Sequence, residues 1–298
     1  MVVESMEPLA RLTRDLRNAA VTLTDREARY LVDLYYMVQE DRKRSGSQVR
    51  SMGEDEPHQL LSWVFGSMET LEHDIQRALD RYGDATTQGL WAKSICGIGP
   101  VITAGLLANI DITKAPTVGH IWRFAGLDPT VKWEKGKKRP WNASLKVLCW
   151  KVGESFVKVS NNEKDVYGHI WAARKELEEQ RNAAGDFRDQ AAAVLAAKKI
   201  GHDTEAYKHY SQGLLPPAHI HARAKRYAVK LFLASLHEVW YFRQYGVLPP
   251  KPYALEHMGH VHWFMAPNAD LVPGLREAQE AARQGFVRRV LPETGEEP

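Results

Sequence analysis

The chain has 298 residues, 44% of them hydrophobic and 26% charged, which fits a folded globular protein and excludes a disordered or collagen-like one. No apolar run reaches the roughly 18–20 residues that span a bilayer, and acidic residues interrupt the first apolar stretch, so neither a membrane span nor a secretory leader is expected. Net charge is only +3, so any polyanion footprint must come from local clustering. Cys96 and Cys149 sit in apolar helical contexts and read as reduced, buried thiols of a cytoplasmic protein.

Positions 1–83 read as an N-terminal arm of antiparallel helices. Leu9, Leu12, Leu16 and Leu23 mark a short amphipathic helix. Thr24-Asp25-Arg26-Glu27 then has the capping-box form, in which the threonine and the glutamate each accept from the other's backbone N–H. The helix it opens carries Ala28, Leu31, Leu34, Tyr35 and Val38 at helical spacing and is expected to stop near Arg44. Residues 45–56 are Gly/Ser-rich and charged, the composition of a flexible connection. Pro57 opens a second helix with a stripe of Leu61, Val64, Phe65, Met68, Leu71, Ile75 and Leu79, which Gly83 is expected to end. Such a pair suits a scaffold or a dimerisation arm, so a homo-oligomer formed through the arms is expected.

Positions 84–160 are the core of the reading. In Gly97-Ile98-Gly99-Pro100 the two glycines permit a tight turn and a close backbone approach, Ile98 can plug a core, and Pro100 suits the first residue of a helix. Val101 to Ile110 is apolar almost all round and so should be buried, leaving its N-terminus as a seat for phosphate. The pattern is that of a helix-hairpin-helix, with Gly97, Ile98, Gly99 and Val101 as the backbone contacts. Downstream, residues 131–151 carry Lys132, Lys135, Lys137, Lys138, Arg139, Lys146 and Lys151 against the single acid Glu134. Trp133, Trp141 and Trp150 are interleaved with them, able to stack on unpaired bases or to fill a core. Asn142 caps a helix whose Leu145, Leu148, Cys149, Val152, Phe156 and Val159 form a core face.

Positions 161–215 read as a helical hairpin insertion broken at Gly185 and Gly201. Positions 216–268 hold a C-terminal basic helix and a histidine-bearing extension; Arg223, Arg226 and Lys230 fall at i, i+3 and i+7 and form a cationic stripe. Positions 269–298 close with a short helix and an acidic, disordered tail.

Gly97-Ile98-Gly99-Pro100, followed by Phe124-Ala125-Gly126-Leu127-Asp128-Pro129, a basic loop and a helix, resembles the C-terminal domain of the bridge-RNA-guided, DEDD-type insertion-sequence transposases. The resemblance runs from about Leu60 to Tyr241. It implies DNA recombination as the family's activity. The family also carries an N-terminal resolvase-like domain with metal-binding acids, whereas the helical residues ahead of this hairpin lack the strands of that fold. It places a nucleophilic serine before a glycine just after the Gly-Leu-x-Pro turn; here Glu134-Lys135-Gly136 stands there. The remaining candidates for a nucleophile are Ser144 and Ser155, which lie outside that motif.

Metal chemistry rests on His219-x-His221 and on His257-x-x-His260-x-His262, whose spacings could hold a divalent cation, with no cysteine near them. The expectation overall is an all-α protein: a helical arm, a helix-hairpin-helix core and a C-terminal helix with an irregular extension. Its expected function is binding of nucleic-acid backbone, DNA or RNA, without transposase catalysis. The alternatives are an active recombinase or metal-dependent nuclease, and a helical self-assembly protein.

Overall fold

A computed structural model describes residues 11–52, 58–250 and 264–290. The described residues form twelve α-helices and three short 3-10 turns and contain no strand, as the helical periodicities require. They group into two compact units: one holds the chain up to Lys93 together with Gly99–Asp111, the other holds Ser94–Ile98 together with the chain from Ile112 onward. No helix among the described residues is long and apolar enough to cross a membrane.

The first unit comprises α1 (Arg14–Ala19), α2 (Asp25–Ser51), α3 (Gln59–Asp84), α4 (Thr87–Lys93) and α5 (Pro100–Asn109). The capping box forms as read: the Glu27 N–H donates to Thr24 Oγ1 at 3.3 Å and the Thr24 N–H to Glu27 Oε2 at 2.8 Å. The helices α2 and α3 pair through Ala28, Val32 and Tyr35 on one side and Ile75, Ala78, Leu79 and Tyr82 on the other, all buried. Against both lies α5, buried from Thr103 to Ala108.

One helix end differs from the sequence reading. The second helix runs on through Ser45-Gly46-Ser47 to Ser51 instead of stopping near Arg44. Gly46 is buried, and a Cβ there would meet Phe65 Cε2 at 3.0 Å, so this glycine gives a neighbour room to approach and does not break its helix. Gly83 stands one residue before the end of α3, close to where the sequence places the stop, and a Cβ there would stand 3.3 Å from Thr103 Cγ2. Thr86 stands at the start of α4, accepting from the Gly89 N–H at 3.1 Å, while Asp84 pairs with Lys93, which also binds Asp80 at 2.6 Å.

The second unit contains α6 (Val118–Phe124), α7 (Ala143–Val159), α8 (Tyr167–Ala183), α9 (Arg188–Ala197), α10 (Glu205–Ser211), α11 (Pro217–Tyr245) and α12 (Leu275–Val290). Its axis is α11, opened by Pro217 at N1 and closed by Gly246 at φ +71°, with α6, α7 and α8 packed along it. Asn142 caps α7 by accepting from the Leu145 N–H at 2.9 Å, and the expected face of α7 is the buried one. Phe156, Tyr167 and Phe232 meet with ring centroids 5.1, 5.5 and 5.4 Å apart, a fully buried aromatic knot joining α7, α8 and α11. A smaller cluster of Phe187, Ala191, Leu215 and Ile220 fastens α9 to the start of α11.

Candidate nucleic-acid interface

The turn between α4 and α5 is built as its glycines suggest. Gly97 has φ +87°, and a Cβ there would lie 3.0 Å from Val159 Cγ2 and 3.2 Å from Ser155 Oγ, so only glycine fits without strain. The Gly97 carbonyl accepts from the Ser155 hydroxyl at 2.5 Å, and the Ile98 N–H is taken by Ile95 O at 2.9 Å. Ile98 is buried, the expected plug. Asn268 holds the start of the turn by donating to Ser94 Oγ at 2.9 Å. Gly99 is ordinary extended backbone (φ −92°, ψ 178°), no side chain caps α5, and Pro100 fills its first position. The first N–H groups of α5, Val101 among them, therefore have neither a helical nor a side-chain partner.

The basic segment is held at both ends. Helix α6 terminates in Gly126 at φ +66°, where a Cβ would strike Trp141 Cγ at 2.9 Å and Lys146 Cδ at 3.0 Å. The Asn142 N–H returns to Phe124 O at 2.8 Å, closing the intervening residues into a loop. Within it, Asp128 accepts from the Thr130 N–H and hydroxyl at 2.9 and 2.8 Å, and these bonds hold its carboxyl below the usual range. The Trp133 indole N–H donates to Lys137 O at 2.7 Å. Lys132, Lys135, Lys137, Lys138 and Arg139 are all exposed on this loop.

Cations and tryptophans are paired across elements. Arg139 lies 5.6 Å from the Trp133 ring centre, Lys146 of α7 3.9 Å from Trp141, and Lys230 of α11 4.1 Å from Trp122, whose N–H donates to Lys230 O at 3.0 Å. Burial first, then the positive charges of Arg139 and Arg226, push the Lys146 amine below its usual value. Burial also lowers Lys230, with Asp128 partly opposing it. None of Arg139, Lys146 and Arg226 forms an ion pair with a described carboxylate. Lys146 on α7 thus lies within range of the charges of Arg139 on the loop and of Arg226 on α11. The sequence reading counts Lys146 among the cations of the basic segment without naming it as a contact; the fold sets it on α7, one turn after Asn142 and beside the loop.

The stripe on α11 divides. Arg226 is exposed and Lys230 rests on Trp122, but Arg223 is turned inward. Its guanidinium donates to Glu178 Oε2 at 2.8 Å and to Gln190 Oε1 at 3.0 Å and covers Phe187 at 4.5 Å. Glu178, 1% exposed, also binds Arg174. Burial raises its pKa, and Arg223 and Arg174 more than offset that, leaving it below the usual range. The regular spacing of Arg223 hides an ion pair with another helix.

The nucleophile and metal candidates are placed as follows. The Ser155 hydroxyl is held by Gly97 O, and Ser144 is exposed in the first turn of α7. His219 Nδ1 hydrogen-bonds with the Tyr210 hydroxyl at 3.1 Å, and burial, followed by nearby Arg226 and Arg223, lowers its pKa. His221 meets Trp171 edge-on at 5.4 Å and is lowered chiefly by burial. Among the described residues no three His, Cys, Asp or Glu side chains converge on a metal-sized site. His257, His260 and His262 lie outside the described residues. Cys149 is buried, which pushes its thiol up to about 12 and makes it inert.

Residues 91–142 match the model of the Transposase IS116/IS110/IS902 family. The match begins at Trp91 in α4, takes in the turn, α5, α6 and the basic loop, and ends at the cap of α7. This segment is transposase-related, and it lies inside the span from Leu60 to Tyr241 that the sequence resemblance covered. No curated protein and no solved structure matches the chain.

Proposed function

We propose that this chain binds nucleic acid along its phosphate backbone, DNA in keeping with the family matched by residues 91–142, and does so without the family's recombination chemistry. The observation that carries the reading is the convergence of Arg139, Lys146 and Arg226 with no carboxylate to neutralise them. Cations with no internal partner, kept close together against their own repulsion, are suited to an external polyanion. Lys132, Lys135, Lys137 and Lys138 extend the same charge along the loop, and Lys230 borders it. In the first unit, the uncapped N-terminus of α5 after Gly99 offers backbone N–H groups to a phosphate. The reading without catalysis is supported by Glu134-Lys135-Gly136 at the position where the resemblance implies a serine before a glycine. It is supported further by the commitment of the Ser155 hydroxyl to the fold.

The test is a binding isotherm on DNA across a salt series, for the wild-type chain and for the double variant Lys146→Glu, Arg226→Glu. Affinity should fall steeply with salt, and the double variant should lose about 100-fold at low salt and flatten the slope by roughly two counterions. Affinity that ignores salt, or a double variant that binds like wild type, overturns the reading. An incubation of supercoiled DNA with divalent cation should leave it intact; nicking that tracks the protein through purification overturns the non-catalytic part.

A further inference from the structure

Of the tryptophans near the basic segment, Trp150 is the one left most open. It is 60% exposed on α7, beside Val147 at 54%. Trp122, Trp133 and Trp141 are each drawn into the fold by a cation lying over the ring or by an indole N–H given to a backbone carbonyl. Trp150 makes no hydrogen bond among the described residues. Lys225, 5.7 Å from the ring centre, is tied to Glu154.

Position explains what so exposed a ring could serve. Lys146 and Trp150 are four residues apart on one helix, so their side chains emerge on the same face about one turn apart. Lys146 in turn belongs to the group with Arg139 and Arg226. One face of α7 therefore offers a flat apolar ring next to unneutralised positive charge, held on a rigid helix. That combination matches a strand whose phosphates and base faces are both accessible. A duplex hides its base faces in the stack, so it could use the charge but not the ring. Two apolar side chains are also far too little surface for a stable protein partner, which needs about 800 Å² a side.

We propose that Trp150 is a stacking platform for an unpaired base, and that the chain accordingly prefers single-stranded nucleic acid, or a single-stranded segment within a larger one, over continuous duplex. The proposal rests on the nucleic-acid reading of the preceding subsection and specifies its ligand. Stacking of one base contributes about 1–3 kcal/mol, which sets the size of the effect.

The experiment compares Trp150→Ala and Trp150→Phe with wild type on an oligothymidylate strand and on a duplex of equal phosphate number, each in a salt series. Thermal melts confirm folding, and sedimentation velocity reports self-association. Trp150→Ala should weaken the single strand about tenfold, leave duplex binding and both salt slopes unchanged, and melt like wild type. Trp150→Phe should recover most of the loss. An equal loss on both ligands, or no loss on either, overturns the platform. If the Lys146→Glu, Arg226→Glu variant loses binding while Trp150→Ala does not, the platform falls and the backbone reading stands. If wild type shows no salt-dependent binding to either ligand, both fall. Trp150→Ala that changes only self-association overturns the platform in favour of contact with a second copy.

Discussion

The two units use their charged residues differently. In the first, cations face carboxylates: Arg42 binds Glu72 at 2.5 Å, Arg77 binds Asp74, and Lys93 binds both Asp80 and Asp84. Each pair joins helices or adjacent turns, and the charge is balanced internally. In the second unit, the cations of the loop and of the neighbouring faces of α7 and α11 lie on tryptophan rings or in solvent, with no carboxylate bound to Arg139, Lys146 or Arg226. A count of charges cannot separate these arrangements, since both units are rich in Arg and Lys. What separates them is whether an acid sits within hydrogen-bond reach, and that is the property that distinguishes a scaffold from a surface made for an anion.

The comparison is tested most severely at Glu178, the most deeply buried carboxylate of the ion pairs that the second unit, too, forms away from the loop, as at Glu154 with Lys225. Its carboxylate is buried between Arg174 and Arg223. Glu178→Ala should destabilise the protein by about 3 kcal/mol, because removing one partner of a buried pair strands the other. Chemical denaturation measures this as a fall in midpoint. Because the folded pKa of Glu178 lies below its unfolded value, its stabilisation is complete above the unfolded carboxylate range and is lost as pH falls through the folded value. The variant should therefore show a shallower acid limb in a plot of Tm against pH. An unchanged midpoint would mean that Glu178 is no more important than an exposed pair, and the division between closed and open charge would lose its meaning.

A smaller effect is expected at the turn. Gly97→Val must place a β-branched side chain at φ +87° and against Val159, at a cost of about 2–3 kcal/mol from backbone strain and overpacking. Gly99→Ala meets no described atom within 4 Å and has extended backbone, so it should cost less than about 1 kcal/mol. Melts of the two variants side by side sharpen the comparison, because the two glycines look alike in sequence and fall in different units. Equal losses would show that the turn is held as one piece and that the geometric distinction between them is idle.

Much of this was readable from local pattern. The capping box at Thr24, the burial of α5 and the core face of α7 each depend on residues within a few turns of one another. What could not be read depends on residues distant in sequence. Gly97 looks like part of a tight turn, but Ser155 and Val159 of α7 are what close in on it. Gly46 looks like part of a linker until Phe65 is seen against it. Arg223 looks like a member of a basic stripe until Glu178 is found beneath it. Lys146 looks like one more cation of the basic segment until the fold sets it on α7 within range of the charge of Arg226 on α11. Periodicity reports which face a residue occupies, but not what waits there.

The mildest prediction concerns whether the first unit contributes to binding beyond the N-terminus of α5. Thr24→Ala removes the side-chain acceptor that caps α2 and should cost about 1 kcal/mol, seen as a modest drop in melting temperature. Glu27, whose carboxyl is held below its usual range by bonds from the Thr24 side chain and backbone, should move back toward an ordinary value, so the loss should be larger at neutral pH than in acid. Affinity for DNA, measured well below the melting temperature, should not change. Thr24 lies at the start of α2, and the charges proposed to hold the ligand's backbone belong to the second unit. A cap lost without effect on binding would keep the units' roles apart. Affinity falling in step with the stability of α2 would show that the first unit takes part in binding through more than the N-terminus of α5, and that a closed set of ion pairs is no sign of a passive one.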